Sequence, residues 1–260
     1  MIVASLSPVV IVSPVMRAGT TLVQRLLCSA QNTLIYGDTV GQEMEFFANY
    51  VNARGQMLQY QQFQAAPMRE AVLRGDVADF ITPLAPTLAV HLGGLERAAL
   101  AWWRECAEEA CSLGRSISGW KLAGAHAQTL TVLATWFPKA RWIWVERNLA
   151  DCFRSAKAAG MMQGGAAAMQ FVQAANAARG AFNALAGEKL MLNYTEMTSH
   201  PKQTVARLEQ FTGAAGINPA VFDVRVNHPG TLICTPPAEL TPEESQVFQH
   251  TATSNSIQAA

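Results

Sequence analysis

Short apolar runs, each followed by a stretch of helical spacing, recur along this chain. Residues 9–12 are apolar and mostly β-branched, which predicts a buried strand. A turn of small residues follows, after which Leu22, Leu26 and Leu27 fall on one helical face. Thr33–Tyr36 predicts a brief strand, residues 117–122 a longer one, and Ala127–Trp136 a helix stopped by Pro138. Arg141–Glu146 carries Trp142, Ile143, Trp144 and Val145 in succession, as a strand buried on both faces requires. Helices are expected over 150–158, 166–186 and 200–211, the last with Pro201 in its first turn, and a strand over Lys189–Asn193. Strands alternating with helices imply an α/β fold, a central parallel sheet flanked by helices on both faces. No repeat of solenoid or propeller period occurs.

Between the first and second halves of this alternation, residues 41–113 are mostly helical in pattern. Breaks are expected at Pro67, Gly75, Pro83, Pro86 and Gly93-Gly94. Residues 95–111 form a better helix, with Trp102, Trp103 and Cys106 on one side, and these tryptophans suit a core more than a ligand pocket. Residues 251–260 are polar and expected to fray. At 260 residues, one domain spanning 1–260 is the simplest organisation, with 45–115 as a helical substrate-side or lid region.

Charge narrows the partners. Nineteen basic residues balance nineteen acidic ones, so the main partner is not expected to be nucleic acid or a polyanion; positive charge must gather in a pocket. Cys28, Cys106, Cys111, Cys152 and Cys234 form no C-x-x-C pair, which suits free thiols in a reducing compartment. Cys28 and Cys152 fall on apolar helix faces. The N-terminal apolar run has no basic residue before it and is interrupted by Pro8 and Pro14, so neither a leader nor a membrane anchor is expected. A cytoplasmic protein is the consequent expectation. Histidines 91, 126, 200, 228 and 250 are dispersed, and no metal site is expected.

The chemistry concentrates in Pro14-Val15-Met16-Arg17-Ala18-Gly19-Thr20-Thr21-Leu22. A strand, a glycine turn and a helix N-terminus bring unpaired N–H groups and the positive end of the helix dipole together, a site for a phosphate-like group. Gly19 permits close backbone approach, Thr20 and Thr21 add hydroxyls, and Arg17 adds a fixed bidentate charge. A kinase-type loop would need a lysine after its last glycine; Thr20 stands there, which disfavours ATP or GTP. A second anion corner follows Arg141–Glu146: Arg147 comes off the strand end, and Ser155 sits in the next helix.

These two segments resemble the 5′-phosphosulfate loop and the 3′-phosphate motif of the sulfotransferases. Met16 replaces a common proline there, Ala18 a serine, and Leu149 a proline. Gly119-Trp120-Lys121 resembles the family's lysine strand, and Leu192-Asn193-Tyr194-Thr195-Glu196 its strand near the adenine. The resemblance implies a three-layer, P-loop-like fold. It implies 3′-phosphoadenosine-5′-phosphosulfate (PAPS) as co-substrate and adenosine 3′,5′-bisphosphate (PAP) as product, held by residues 17–22, Arg147, Ser155 and Tyr194. Sulfuryl transfer to a hydroxyl or amine of a small-molecule, sugar or phenolic acceptor would follow, with Arg17 and Lys121 stabilising the leaving phosphate.

The general base is open at this level. The small-molecule cytosolic branch keeps a histidine two residues past the lysine, where this chain has Ala123; His126 lies further on. The tyrosylprotein and carbohydrate branches keep a glutamate just after the loop helix, where this chain has Asp38, with Glu43 nearby. That places the chain closer to the carboxylate branches. Asp38 in its Tyr36-Gly37-Asp38-Thr39 turn also suits a helix cap, and Glu43 and Glu45 suit solvated helix charges. A pocket retained for nucleotide binding without turnover is the alternative from another class, and a divergent ATP-dependent kinase a further one. Acceptor identity and oligomeric state stay open.

Overall fold

The computed structural model describes residues 7–77, 84–224 and 237–257. Five strands, β1 (Val9–Ser13), β2 (Thr33–Tyr36), β3 (Ile117–Ala123), β4 (Arg141–Glu146) and β5 (Lys189–Asn193), form one sheet in the order β2-β3-β1-β4-β5. Every pairing is parallel, as crossover helices between strands require. The helices are α1 (Thr20–Ser29), α2 (Asp38–Leu73), α3 (Leu88–Ser112), α4 (Ala127–Trp136), α5 (Leu149–Ala158), α6 (Gly165–Ala184), α7 (Tyr194–Ser199), α8 (Pro201–Thr212) and α9 (Pro242–Ile257). The fold is α/β in three layers.

Alternation along β1 divides the core. Val9 and Ile11 join Ile143, Val145 and Leu192 against Val23, Leu26, Leu27 and Leu208 of α1 and α8. Val10 and Val12 face the other way, with Trp120, Trp142 and Trp144, against Met44, Trp103, Leu130 and Phe182 of α2, α3, α4 and α6. Aromatic rings dominate that second layer: Trp103 and Trp120 meet at 4.6 Å between centroids, and Trp120 meets Phe137 at 5.2 Å. Each such ring contributes on the order of 4–6 kcal/mol of apolar burial before entropy. The indole N–H groups of Trp103, Trp120 and Trp144 have no partner, which offsets about 1–3 kcal/mol of that per ring.

The middle of the chain departs from expectation. Pro67 does not end a helix: α2 runs through it for 36 residues. The donor that proline removes falls in a stretch open to water, where Phe63 is 84% exposed, so solvent can serve the freed carbonyl. Gly93 and Gly94 lie inside α3, which starts earlier because the Thr87 hydroxyl accepts from the Val90 N–H and supplies the cap. Trp103 is in the core as expected, whereas Trp102 is half-buried against Phe47. Cys152 is buried, but Cys28 only partly.

The last strand stops where expected. It ends at Asn193, whose side chain accepts from the Thr195 and Glu196 N–H groups and turns Tyr194 into the first residue of α7. Helix α9 continues to Ile257, through most of the stretch expected to fray. Pro83, His228, Cys234 and residues 258–260 lie outside the described residues. No helix among the described residues is long and apolar enough to cross a membrane.

Helix α9 is fastened to α5 by one buried carboxylate. Glu244 accepts from Lys157 Nζ at 2.7 Å, from the Gly164 N–H at 2.7 Å and from the Thr241 N–H at 2.8 Å. Burial pushes its pKa up, but these donors outweigh burial and hold it down at about 2, against 4.5 for an ordinary glutamate. A depressed pKa stabilises the fold above the unfolded-state value and loses that contribution as pH falls through the folded one. Glu244→Gln is therefore expected to lower the thermal midpoint by several degrees at pH 7. The gap to wild type should close between pH 4.5 and about 2. Thermal melts of both proteins across that range check it; a gap independent of pH contradicts the assignment.

Candidate active site

Strand order reverses between β1 and β4, so their C-terminal ends open a crevice, the usual ligand position in a parallel sheet. The loop over residues 14–19 enters it from β1. Ser13 fixes the entry: its hydroxyl donates to the Val15 carbonyl at 2.7 Å and accepts from the Gly124 N–H at 3.3 Å, tying the loop to the end of β3. Arg17 has φ +69°, the one non-glycine in the left-handed region among the described residues. That conformation costs about 1–2 kcal/mol. It is held from outside, because Arg17 Nε donates to Ser155 Oγ at 3.0 Å while Arg147 donates to the Arg17 carbonyl at 3.5 Å. The two anion corners read separately from the sequence are thus one connected site.

Gly19 caps α1 with φ +107°, and a Cβ there would collide with the Tyr194 ring. Tyr194 in turn lies under the Arg147 guanidinium, 4.6 Å from ring centroid to Cζ. Helix α1 has no side-chain cap, so the N–H groups of Thr20 and Thr21 have no partner within the helix. Below the loop, Cys152 is fully buried beside Val15 and Ala18. Burial pushes its thiol up to about 12 despite the pull of Arg147 and Arg17, so it packs as a small apolar group.

The third corner is Lys121 on β3. It is 5% exposed, and its Nζ donates to Thr21 Oγ1 at 3.0 Å and meets Asp38 Oδ2 at 2.8 Å. Asp38 does not cap α2: Gly37 occupies that position, and the carboxylate turns to the lysine instead. Its second oxygen, Oδ1, is buried without a partner. The spacing is fixed by Gly41, where any Cβ would strike the Lys121 carbonyl, so the first turn of α2 rests directly on β3.

Direct contacts thus link Arg17, Gly19, Arg147, Ser155 and Tyr194 in one set and Thr21, Lys121 and Asp38 in another, and the backbone from Gly19 to Thr21 joins the two. Ala18 is buried under the loop, Thr20 is buried in the first turn of α1, and Leu22 packs into the α1–α8 side of the core. Glu43 and His126 are exposed, the first in α2 and the second at the start of α4. Neither makes a contact with Lys121. The Arg147–Tyr194 stack and the Arg17–Ser155 bond were beyond sequence reasoning, since no spacing rule relates residues so far apart. Three cations and a row of N–H groups at one end of the sheet can hold a multiply charged anion, and the carboxylate paired with Lys121 can take up a proton.

The sulfotransferase family model matches residues 8–217. The chain belongs to the sulfotransferase family. None of the curated proteins matches this sulfotransferase in sequence. Among solved structures it is similar to the sulfotransferase domain of the Synechococcus PCC 7002 olefin synthase. That match has 14% identity and a TM-score of 0.50, over 95% of this chain and 94% of that one. A sulfotransferase domain from the curacin biosynthetic pathway matches with 12% identity and a TM-score of 0.51, over 95% and 98%. At such identities the likeness shows the shared fold.

The Gly19–Tyr194 contact is testable against Gly160, which has φ +69° and open space around it. Gly160→Ala should cost about 1–2 kcal/mol, the left-handed penalty alone. Gly19→Ala should cost about 1–3 kcal/mol more, because the Tyr194 ring must move. Urea unfolding of the two variants measures the difference; equal losses would show that the ring gives way freely.

Proposed function

We propose that this sulfotransferase moves a sulfuryl group from PAPS to a hydroxyl of a small-molecule, sugar or phenolic acceptor, or to an amine, with Asp38 as general base. The observation that carries the reading is the convergence of Arg17, Thr21, Lys121 and Asp38 at the sheet's crevice. The loop over residues 17–21 would hold the 5′-phosphosulfate, and Arg147 with Ser155 the 3′-phosphate. Tyr194 would carry Arg147 and flank the adenine. The four free cysteines among the described residues suit a cytoplasmic location.

In the reaction, the acceptor oxygen forms a bond to sulfur in line with the breaking sulfur–oxygen bond to the nucleotide. The leaving phosphate of PAP gains the charge. Lys121, Arg17 and the N–H groups of Thr20 and Thr21 offset it, an electrostatic role like that in phosphoryl transfer. The acceptor proton goes to Asp38 Oδ1, the oxygen Lys121 leaves unoccupied. A carboxylate in this place supports a likeness to the carboxylate-base branches over the histidine branch.

Calorimetry with nucleotides tests the donor side. PAP is expected to bind at least tenfold more tightly than AMP, since AMP lacks the phosphate assigned to Arg147 and Ser155. Equal affinities overturn that assignment.

Kinetics test the base. Asp38→Asn keeps the shape of the side chain and removes proton acceptance, so turnover should fall about a hundredfold or more while PAP binding survives. Glu43→Gln and His126→Ala run alongside. Near-wild-type activity of Asp38→Asn, with collapse of either other variant, moves the base to that residue.

A further inference from the structure

We infer that Glu244 is a positioning residue for the donor's 3′-phosphate, acting from the C-terminal helix through α5 on Ser155. The inference rests on the proposed donor site, in which Ser155 and Arg147 hold that phosphate. Helix α9 lies outside the residues matched by the family model, which end at 217. Its contacts bracket Ser155. Just before α9 begins, Ala238 exchanges a pair of bonds with Arg154: its N–H donates to the Arg154 carbonyl at 3.2 Å, and its carbonyl accepts from Arg154 Nε at 3.1 Å. On the other side of Ser155, Lys157 Nζ donates to the Glu239 carbonyl at 3.0 Å and to Glu244 at 2.7 Å. Glu244 also spans the connection that follows α5, since its other oxygen accepts from the Gly164 N–H. That connection carries Gly160, Gly164 and Gly165, so its backbone constrains α5 little without the carboxylate. Phe248 of α9 adds an apolar hold, packed on Phe153 at 5.4 Å between centroids.

The other end of α5 is fixed by Asn148, whose side chain accepts from the Asp151 N–H close to the end of β4. Seven residues of helix put Ser155 about 10 Å from that end. A tilt of about 6° at Asn148 would carry its hydroxyl ~1 Å, enough to spoil a hydrogen bond to a phosphate oxygen. Arg147 comes before this pivot, on the end of the strand. The loop over residues 14–19 is tied to the end of β3 through Ser13, with no polar contact to α9. Glu244 therefore acts on the 3′-phosphate corner through Ser155 and leaves the 5′ corner in place. A carboxylate in the C-terminal helix becomes part of what distinguishes donors with a 3′-phosphate from those without.

Calorimetry with PAP and with AMP separates this role from a merely structural one. Glu244→Gln should lower the ratio of PAP to AMP affinity about three- to tenfold, as the weakening of one hydrogen bond implies, with AMP affinity unchanged. Lys157→Met is the second variant and should repeat the loss, whereas Lys157→Arg should keep the wild-type ratio. Ser155→Ala should lower the ratio at least as far, and Glu244→Gln added to it should lower the ratio no further. Loss of overall stability alone would weaken PAP and AMP together and leave the ratio as it was. An unchanged ratio in Glu244→Gln and Lys157→Met, or a further loss on adding Glu244→Gln to Ser155→Ala, overturns the inference. A wild-type ratio near one overturns the donor reading instead.

Discussion

An ammonium group withdrawn almost wholly from water must be paired, and Lys121 meets that demand with partners from two different elements. Thr21 comes from the helix that follows β1, and Asp38 from the helix that follows β2. Because Lys121 sits on the strand between β1 and β2, its two contacts close a triangle over the edge of the sheet. The surrounding geometry obeys that triangle: Gly37 caps α2 so that Asp38 is free to turn inward, and Gly41 lets the helix lie on the strand. A charge in the interior thereby ties the loop after β1 to the first turn of α2.

The same economy appears in how a chain of zero net charge makes a cationic crevice. Arg17, Lys121 and Arg147 come from loop, strand interior and strand end, and each is held by a neighbour rather than left to solvent. Arg17 adopts an unfavourable backbone state, kept by bonds from both the helix and the strand of the second corner. Strain of this kind persists only where the surroundings over-determine it. Positioned cations are also what stabilising a developing negative charge requires, since they need not reorganise during the reaction.

The sheet was largely legible in the sequence because each strand is a continuous apolar run and each crossover helix is short and periodic. All five strands matched within a residue at each end, Trp142 to Val145 most plainly, and the brief β2 was read from Thr33–Tyr36 alone. The long α2–α3 pair was not legible, because Pro67 and the Gly93-Gly94 pair are breakers only where the lost bond cannot be made good by water or by a strong cap such as Thr87. At the site, local chemistry pointed to Arg17, Gly19, Arg147 and Lys121 one by one. Their mutual contacts depend on where the chain folds back. No local rule tells that Tyr194 fills the space a side chain on Gly19 would take, or that Asp38 turns to a lysine rather than to its own helix end.

The close approach at Gly41 has a consequence for any exchange of the helical arm that α2 and α3 form. Helix α2 is seated on the backbone of β3 at the very residue that carries the buried lysine. A graft that replaced the helical arm from its first residue would shift that seat and carry the lysine with it. The arm is separable only beyond that seam, where α2 leaves the sheet and its residues face α3 and α4. An exchange that starts after residue 44 keeps that seat, and must also keep Trp103, whose ring packs on Trp120 beside the lysine.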